Sequence, residues 1–276
     1  MLGDSIVAYD YRQRRLTTFD RAGKVLPTKT LPVVSSFGLD LTGRMSCGPW
    51  LGYVGGGINP PGQSVIFRDT ISLVALTASL ERVAFRLGPF PGPMTVGISK
   101  GQGKTPARLV GLAPFGARLV FGVADSLIYT MDTATNQIVF WSCDGRRRNT
   151  IVVPLPERPI PPDAIRRLKQ REMTSLCAKP SQDFIDAWYS PANLPKALPR
   201  VRTIVPGAAG DLWVEQYEAD PEAASTWWVL DIRGRTLATL GAPAGFRIKS
   251  VTRDRVGGVF TDEDGVESLR IYWVIK

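Results

Sequence analysis

The sequence predicts an all-β protein built from repeated antiparallel sheets, and three observations lead to that prediction. Short β-rich runs dominate the chain, each bounded by glycine, proline, aspartate or asparagine. The runs recur in one order: a strand after an aspartate, a turn, a second strand, a polar turn with Gly-Lys or Gly-Arg, and a third strand. From opening aspartate to turn glycine, the three clearest copies span 19, 20 and 23 residues. A sheet of three or four strands cannot bury both of its faces alone, so the copies are expected to pack against each other.

The copies account for most of the chain. The three clearest begin at Asp4, Asp125 and Asp211, and two weaker copies occupy residues 38–86 and 246–274. Packing such sheets around a common axis buries both faces of each, which is the logic of a β-propeller. We therefore expect residues 1–276 to form one β-propeller domain with about five visible units. The first copy lacks its innermost strand and the last lacks its outermost strand.

One segment breaks the repeat, and we interpret residues 155–200 as a helix-containing insertion. Prolines precede a short helix at residues 164–173, and Asp163 lies near its N-terminus. The apolar side of this helix is expected to carry Ile165, Leu168 and Leu176. Residues 174–200 are predicted to be irregular. The insertion is expected to pack over one face of the ring, where it either binds a ligand or covers strand ends.

The ordered set of motifs resembles the six-bladed β-propeller proteins of the NHL-like kind, many of them exported bacterial proteins of unassigned function. The matching motifs are residues 3–24, 68–73, 210–217, 227–235 and 244–249. The resemblance implies an exported or periplasmic protein, with a leader and about one more blade ahead of the start of this chain. It thus leads us to expect an N-terminally shortened or mis-started member, which forms an incomplete six-bladed ring that is open or strained. In such a ring, strand 5–11 would not be hydrogen-bonded to strand 269–274.

Composition excludes several classes of chemistry. The chain has 276 residues and no histidine, which rules out Ser-His-Asp and Cys-His mechanisms and histidine-ligated zinc or haem. Its three cysteines form no CxxC pair, so either one disulfide and one thiol or three buried thiols are expected. The N-terminus shows no signal-peptide pattern. The most apolar window, residues 109–124, is too short and interrupted to span a bilayer.

The formal net charge of +9 is concentrated in one stretch. Residues 144–179 carry nine lysines and arginines against four acids. Such a patch can bind nucleic acid or anionic lipid, but no nucleic-acid module accompanies it, so a solvated face is favoured and nucleic acid is an unlikely partner. Within it, the helix supplies four candidate binding residues: Arg166, Arg167, Lys169 and Arg171.

Motifs that would indicate a cofactor or a metal fail on spacing. The segment Gly97–Thr105 has five residues between its glycines, where a phosphate-binding loop has four, and Pro106 follows it. Residues 142–145 are interpreted as a hairpin turn. Residues 262–265 could offer carboxylates to calcium but lack the remaining ligands of a calcium loop, so a solvated turn is favoured. We therefore predict no cofactor and no metal.

The strand at residues 212–218 carries the other candidate site. Alternation places Trp213, Glu215 and Tyr217 on one face. A buried carboxylate between aromatic rings would have a raised pKa, which suits acid/base chemistry or a sugar-binding platform. The alternative is a structural glutamate paired with an arginine of a neighbouring blade. Trp227 and Trp228 are expected to fill the interfaces on opposite faces of their own sheet.

These observations favour a noncatalytic propeller that binds a protein, peptide or glycan at one mouth of the ring, and they favour no enzymatic activity. The alternative is a carboxylate- or metal-dependent hydrolase, of the glycosidase or lactonase type, with acids converging on the central channel. A glycosidase would need two carboxyl groups roughly 5–9.5 Å apart. Neither the substrate nor the oligomeric state follows from the sequence.

Overall fold

A computed structural model describes residues 6–10, 12–31, 40–55, 65–100, 107–175 and 181–274 of the chain. Within these residues, nineteen strands form five antiparallel sheets, which we call blades 1 to 5. Blade 1 contains β1 (Ile6–Asp10), β2 (Arg15–Phe19) and β3 (Lys29–Thr30). Blade 2 contains β4 (Asp40–Arg44), β5 (Trp50–Gly55), β6 (Val65–Leu76), β7 (Val83–Lys100) and β8 (Ala107–Leu112).

The remaining three blades follow in chain order. Blade 3 contains β9 (Leu119–Ala124), β10 (Leu127–Asp132), β11 (Gln137–Ser142) and β12 (Arg147–Val152). Blade 4 contains β13 (Val201–Pro206), β14 (Leu212–Gln216), β15 (Ser225–Leu230) and β16 (Thr236–Ala242). Blade 5 contains β17 (Phe246–Val251), β18 (Arg255–Thr261) and β19 (Glu267–Trp273).

The repeated polar turn has the same hydrogen bonds in three blades. Asp231 accepts hydrogen bonds from the backbone N–H groups of Arg233 and Arg235, at 2.8 and 2.9 Å, and Asp20 and Asp262 act in the same way. The glycine of each turn has a positive φ, +83° at Gly234, which a residue with a Cβ adopts only with strain. The carboxylate of Asp262, considered above for calcium, thus accepts hydrogen bonds from the backbone of its own turn. Residues 142–145 form the predicted hairpin turn.

The blades are arranged radially. The first strands of neighbouring blades lie side by side, β4 next to β9, β9 next to β13, and β13 next to β17. Separate hydrophobic clusters fill the interfaces between blades 1 and 2, 2 and 3, 3 and 4, and 4 and 5. Trp227 packs toward blade 5 and Trp228 toward blade 3, which confirms their predicted directions. The fold is therefore an all-β propeller of antiparallel blades.

Polar and covalent links also join neighbouring blades. Arg68 of blade 2 makes two hydrogen bonds to the Asp132 carboxylate of blade 3, at 2.8 and 3.1 Å. The Tyr129 hydroxyl of blade 3 donates to the Ile204 carbonyl of blade 4 at 2.9 Å. A disulfide joins Cys47 in blade 2 to Cys143 in blade 3. Of the two cysteine arrangements left open above, the structure thus contains the one with a disulfide, and Cys177 lies outside the described residues.

Between blades 3 and 4, the segment of residues 153–200 carries helices. α1 (Pro162–Ser175) covers the predicted helix, with Ile165 and Leu168 packed inward. The expectation of a single helix is wrong, because α2 (Gln182–Trp188) and a 3₁₀ turn (Pro191–Asn193) follow within the stretch predicted to be irregular. Closely spaced prolines at the end of that stretch led to the prediction of irregular structure. The side chains of Phe184, Ala187 and Trp188 in α2 contact blade 2. Leu176 lies outside the described residues.

The strands of the first and last blades pair within their own sheets. Within the described residues, β1 pairs with β2 and β19 pairs with β18, and no hydrogen-bonded pairing joins β1 to β19. None of the helices in the described part of the chain is long and apolar enough to cross a bilayer. Blade 2 departs most from the predicted repeat, since it has five strands and β7 alone extends over 18 residues.

Candidate functional site

One end of the propeller gathers most of the predicted site residues, and we call it the connection face. It comprises the link between blades 2 and 3 (residues 113–118), the helical segment (153–200) and the β14–β15 loop (217–224). A hydrophobic cluster joins these three parts, with Phe115, Ala164 and Leu198 buried and Tyr217 and Ala219 packed against them. The helical segment is thereby fixed against the ends of the strands.

Glu215, near the end of β14, is a buried titratable group that borders this face. It is only 7% exposed, and its Oε1 lies 3.8 Å from Arg202 Nε. Burial raises the pKa of the Glu215 carboxyl above its ordinary value of 4.5, while the nearby charges of Arg202, Arg118 and Lys249 act to lower it. Arg202 occupies an irregularity of the β13–β14 ladder, because the register shifts between Val201 and Thr203.

The three cations around Glu215 come from three consecutive blades. Arg202 belongs to the first strand of blade 4, Arg118 immediately precedes the first strand of blade 3, and Lys249 lies in the first strand of blade 5. Arg118 donates a hydrogen bond to the Arg202 carbonyl at 2.7 Å. Arg118 and Lys249 are exposed, whereas Arg202 is largely covered. Radial packing therefore creates a cluster of positive charge near the inner strands.

Tyr217 continues the same network toward the helical segment. The Arg202 guanidinium lies 5.4 Å from the centre of the Tyr217 ring, within the range of a cation–π contact. Burial raises the pKa of the Tyr217 hydroxyl, against the lowering influence of Arg202 and Arg118. Arg158, from the helical segment, donates to the Tyr217 carbonyl and lies 3.3 Å from the Glu218 carboxylate.

The predicted basic residues of the helix are mostly paired with acids. Arg167 pairs with Asp163 and lies 3.9 Å from Asp220, and Arg171 pairs with Glu222 at 3.0 Å. A small cleft of about 290 Å³ lies between this side of α1 and residues 219–222.

The other two basic residues of the helix point elsewhere. Lys169 pairs with Asp186 of α2 at 3.2 Å, and Arg166 is exposed. Because nearby acids offset the charge of Arg167, Lys169 and Arg171, the helix presents less positive charge than the sequence suggests.

Trp213 and Glu215 lie on the same face of β14, since their cross-strand partners Val229 and Trp227 are both buried against blade 5. Trp213 is 5% exposed, packs in the cluster between blades 4 and 5, and donates through Nε1 to Asp211 at 2.7 Å. Tyr217 instead contacts the helical segment. Trp213 and Glu215 thus share one face of β14 while Tyr217 packs beyond the end of that strand, and a common binding role for the three stays a prediction.

The partner of Glu215 also differs from the alternative considered above. An arginine of a neighbouring blade was expected, but Arg202 belongs to the same blade, because its bulge lies next to Glu215 on the adjacent strand. Arg118, Arg158, Arg202 and Lys249 were not predicted as site residues. Their positions in or next to the first strands of blades, or beside the helix, are the signal that the sequence offers for a shared site. Only the packing of the blades shows which of them lie near Glu215.

The chemistry available at this face is ionic and hydrogen-bonding. Within the described ranges, no group of three or more histidine, cysteine, aspartate or glutamate residues is placed to hold a metal ion. Glu215 lies close enough to Glu218 for the negative charge of Glu218 to raise its pKa. Glu218 is itself bound by Arg158 and by Gln216, whose amide donates to it at 3.0 Å.

Comparison with known proteins gives structural matches and no sequence matches. No protein-family model matches the chain, and no curated protein sequence does. A putative exported protein from Bacteroides fragilis superposes with a TM-score of 0.45 at 12% identity, over 94% of this chain and 63% of that one. This chain therefore spans less than two thirds of that protein's described length.

Two further solved structures show similarly distant matches. Streptogramin B lyase has a TM-score of 0.35 at 10% identity, over 100% of this chain and 81% of that one. BamB from Moraxella catarrhalis has a TM-score of 0.31 at 9% identity, over 100% of this chain and 71% of that one.

Proposed function

We propose that this protein is a noncatalytic binding module, which holds a protein or peptide segment at the connection face. The supporting observation is the cation cluster of Arg118, Arg202 and Lys249, in which Glu215 offsets only part of the charge. Exposed Arg118 and Lys249 flank the buried pair, so a ligand with acidic side chains would find complementary charge there. We propose a noncatalytic role because the carboxylates of Glu215 and Glu218 both have arginine partners, Arg202 and Arg158.

The scaffold suits such a role. Loops positioned by rigid strands commonly carry binding residues, and here the connection face joins the link between blades 2 and 3, the helical segment and the β14–β15 loop in one hydrophobic cluster. The tightly paired residues Arg202, Tyr217 and Arg158 would fix the shape of the surface. Arg118 and Lys249 would make the variable contacts with ligand.

The test uses a fluorescein-labelled peptide of alternating glutamate and serine, and the same peptide with glutamine replacing glutamate. We expect the acidic peptide to bind, and the double variant Arg118→Gln/Lys249→Gln to weaken binding about tenfold at low salt. The matched control is Arg148→Gln/Arg233→Gln, which removes the same charge from exposed residues outside this face.

Fluorescence anisotropy gives the affinities, and thermal unfolding checks that each variant is folded. Equal weakening by both double variants would mean that net charge alone drives binding, and equal affinity for the glutamine peptide would exclude recognition of acids. Either result contradicts the proposal.

A second candidate function is carboxylate-dependent hydrolysis, and one observation favours it. Glu215 is buried, has a pKa raised chiefly by burial and lies near the Glu218 carboxylate, a pattern that general acid/base catalysis uses. Assays with chromogenic glycosides and lactones, comparing the natural chain with Glu215→Gln, separate the two functions. Hydrolysis that disappears in Glu215→Gln would replace the binding proposal with an enzymatic one.

The disulfide indicates the kind of compartment in which the protein acts. Cys47–Cys143 would persist in an oxidising compartment, because cytosolic reductants keep most thiols reduced. This supports an exported protein, as the family resemblance implies. The redox state of both cysteines in protein isolated from its natural host would test it.

A further inference from the structure

The β14–β15 loop places three acids beside three arginines of the helical segment. The acids occupy alternate positions of the loop, and Arg167 and Arg171, four residues apart, lie on one side of α1. The pairs, with their nitrogen–oxygen distances, are Arg158 with Glu218 (3.3 Å), Arg167 with Asp220 (3.9 Å) and Arg171 with Glu222 (3.0 Å). Residues 218–222 therefore form an acidic segment that lies along a row of arginines.

The loop is held more firmly at its base than at its tip. At the base, the Glu218 carbonyl accepts a hydrogen bond from Arg202 at 2.9 Å, and Ala219 packs in the hydrophobic cluster of the connection face. The side chains of Glu218, Asp220 and Glu222 are 24%, 41% and 73% exposed, so the ion pairs become more solvated toward the tip. Solvated ion pairs contribute little to stability and are screened by salt. The tip, residues 220–222, is therefore the part of the loop that a competing ligand would displace most easily.

The cleft between α1 and residues 219–222 adds apolar surface to these charges. On the helix side it is lined by Ala164 and Leu168 together with Arg167 and Arg171. Ala164 is buried and Leu168 is partly buried in the cluster of the connection face, so this wall of the cleft is fixed. Displacement of the tip would open the cleft further. An extended segment in its place would then find apolar contact beside two cationic groups.

We propose that residues 220–222 act as an internal ligand, which an acidic segment of a partner protein displaces from α1. The displacement rests on the function proposed above, because the acidic ligand of the connection face is the competitor. The loop itself shows the matching pattern, a carboxylate at every second residue, which puts the carboxylates on one side of an extended segment. A partner segment with the same pattern would pair with Arg167 and Arg171, while Asp163 keeps its own contact with Arg167.

The internal ligand would also set the specificity of the connection face. A segment with a single acid would not offset the loss of the ion pairs that the tip makes with α1. A segment with several closely spaced acids would replace all of them. The loop would therefore restrict binding to strongly acidic segments, since specificity is a difference between the affinities of two ligands.

The first test removes the acids of the tip with Asp220→Asn/Glu222→Gln and measures binding of the glutamate–serine peptide by fluorescence anisotropy. Asparagine keeps an oxygen for the backbone N–H of residue 222, which Asp220 accepts at 3.0 Å, so the turn is retained. We expect the peptide to bind about fivefold more tightly at low salt, because the internal competitor is weakened. The matched control is Glu263→Gln/Asp264→Asn, which removes the same charge from exposed residues of the β18–β19 turn.

A mutant cycle locates the competition on α1. If the tip competes for Arg167 and Arg171, the loop substitutions should tighten binding in the natural chain and have little effect in an Arg167→Gln/Arg171→Gln background. Thermal unfolding checks that each variant is folded. A gain in affinity that is as large in that background, or as large in the control variant, would mean that net charge alone is responsible and would overturn the proposal.

The internal ligand and the proposed function fail in different ways. Peptide binding that requires Arg118 and Lys249 but is unchanged by Asp220→Asn/Glu222→Gln would overturn the internal ligand and leave the proposed function intact. A peptide that binds neither the natural chain nor this variant would overturn both. A short single-stranded DNA that gains affinity from the loop substitutions, while the peptide does not, would assign this surface to nucleic acid and would also overturn the proposal.

Discussion

At the residue scale, Glu215 shows that burial can outweigh neighbouring cations in setting the pKa of a carboxyl group. Its pKa is raised by burial despite three cations, so the folded state holds its proton more tightly than the unfolded state. The stabilisation from this proton is fully present below the unfolded value near 4.5 and is lost as pH rises through the folded pKa. We therefore expect the free energy of unfolding of the natural chain, relative to Glu215→Gln, to fall as pH rises from 4.5.

Asp231 provides a control of opposite sign. Backbone hydrogen bonds, chiefly from Arg235, lower the pKa of its carboxyl, so its stabilisation is present above the unfolded value near 3.8 and is lost as pH falls. Urea unfolding should thus give slopes of opposite sign for the two variants, each relative to the natural chain: Glu215→Gln measured from pH 4.5 to 7, and Asp231→Asn measured from about pH 2.5 to 5. A Glu215 difference that is flat or rises with pH would show that its pKa is not raised.

The two residues also differ in what the sequence could predict. The role of Asp231 follows from a local pattern, an aspartate three residues before a glycine, which recurs at Asp20 and Asp262. Alternation along its strand predicted that Glu215 shares a face with Trp213 and Tyr217. Its surroundings were not, because Arg118 and Lys249 lie far away in the chain and reach Glu215 only through packing of three blades.

At the element scale, the interface between blades 3 and 4 depends on one glycine. Gly122 lies opposite Tyr129 in the β9–β10 ladder, and a Cβ at Gly122 would come within 2.3 Å of the Tyr129 hydroxyl oxygen. That hydroxyl bridges to the Ile204 carbonyl of β13. We expect Gly122→Ala to destabilise the fold by about 1–3 kcal/mol, because the tyrosine ring must move.

A double-mutant cycle separates this cause from a general effect of alanine. Tyr129→Phe should cost about 1 kcal/mol by removing the hydrogen bond, and it also removes the atom closest to the added methyl group. Gly122→Ala should therefore cost less in the Tyr129→Phe background than in the natural chain, as measured by urea unfolding. Equal costs in both backgrounds would mean that the ring does not fill the space beside Gly122.

The elements themselves were predicted unequally. Strands joined by the repeated turn were found, because their alternation and punctuation are local. The length of β7 was missed because prolines and glycines inside it predict irregular structure, and α2 was missed because closely spaced prolines follow it. α2 is held by its contacts with blade 2, notably Trp188 against Gly111, and no local pattern contains that information.

At the scale of the whole molecule, the radial order of blades was predictable because each sheet needs neighbours on both faces. The exposure of apolar side chains on β19 was not predictable, because the residue pattern of β19 is like that of the buried strands. The Cys47–Cys143 disulfide joins two consecutive blades, and a sequence separation of 96 makes it a long-range constraint on the unfolded chain.

We expect the double variant Cys47→Ser/Cys143→Ser to lose about 2–5 kcal/mol of stability, because the unfolded chain regains the entropy of that large loop. Each single variant should cost nearly as much as the double variant, since either substitution breaks the same bond. Urea unfolding of the three variants and the natural chain, under non-reducing conditions, measures this. Costs of the two single substitutions that add up in the double variant would show that the cysteines act independently and that no bond links blades 2 and 3.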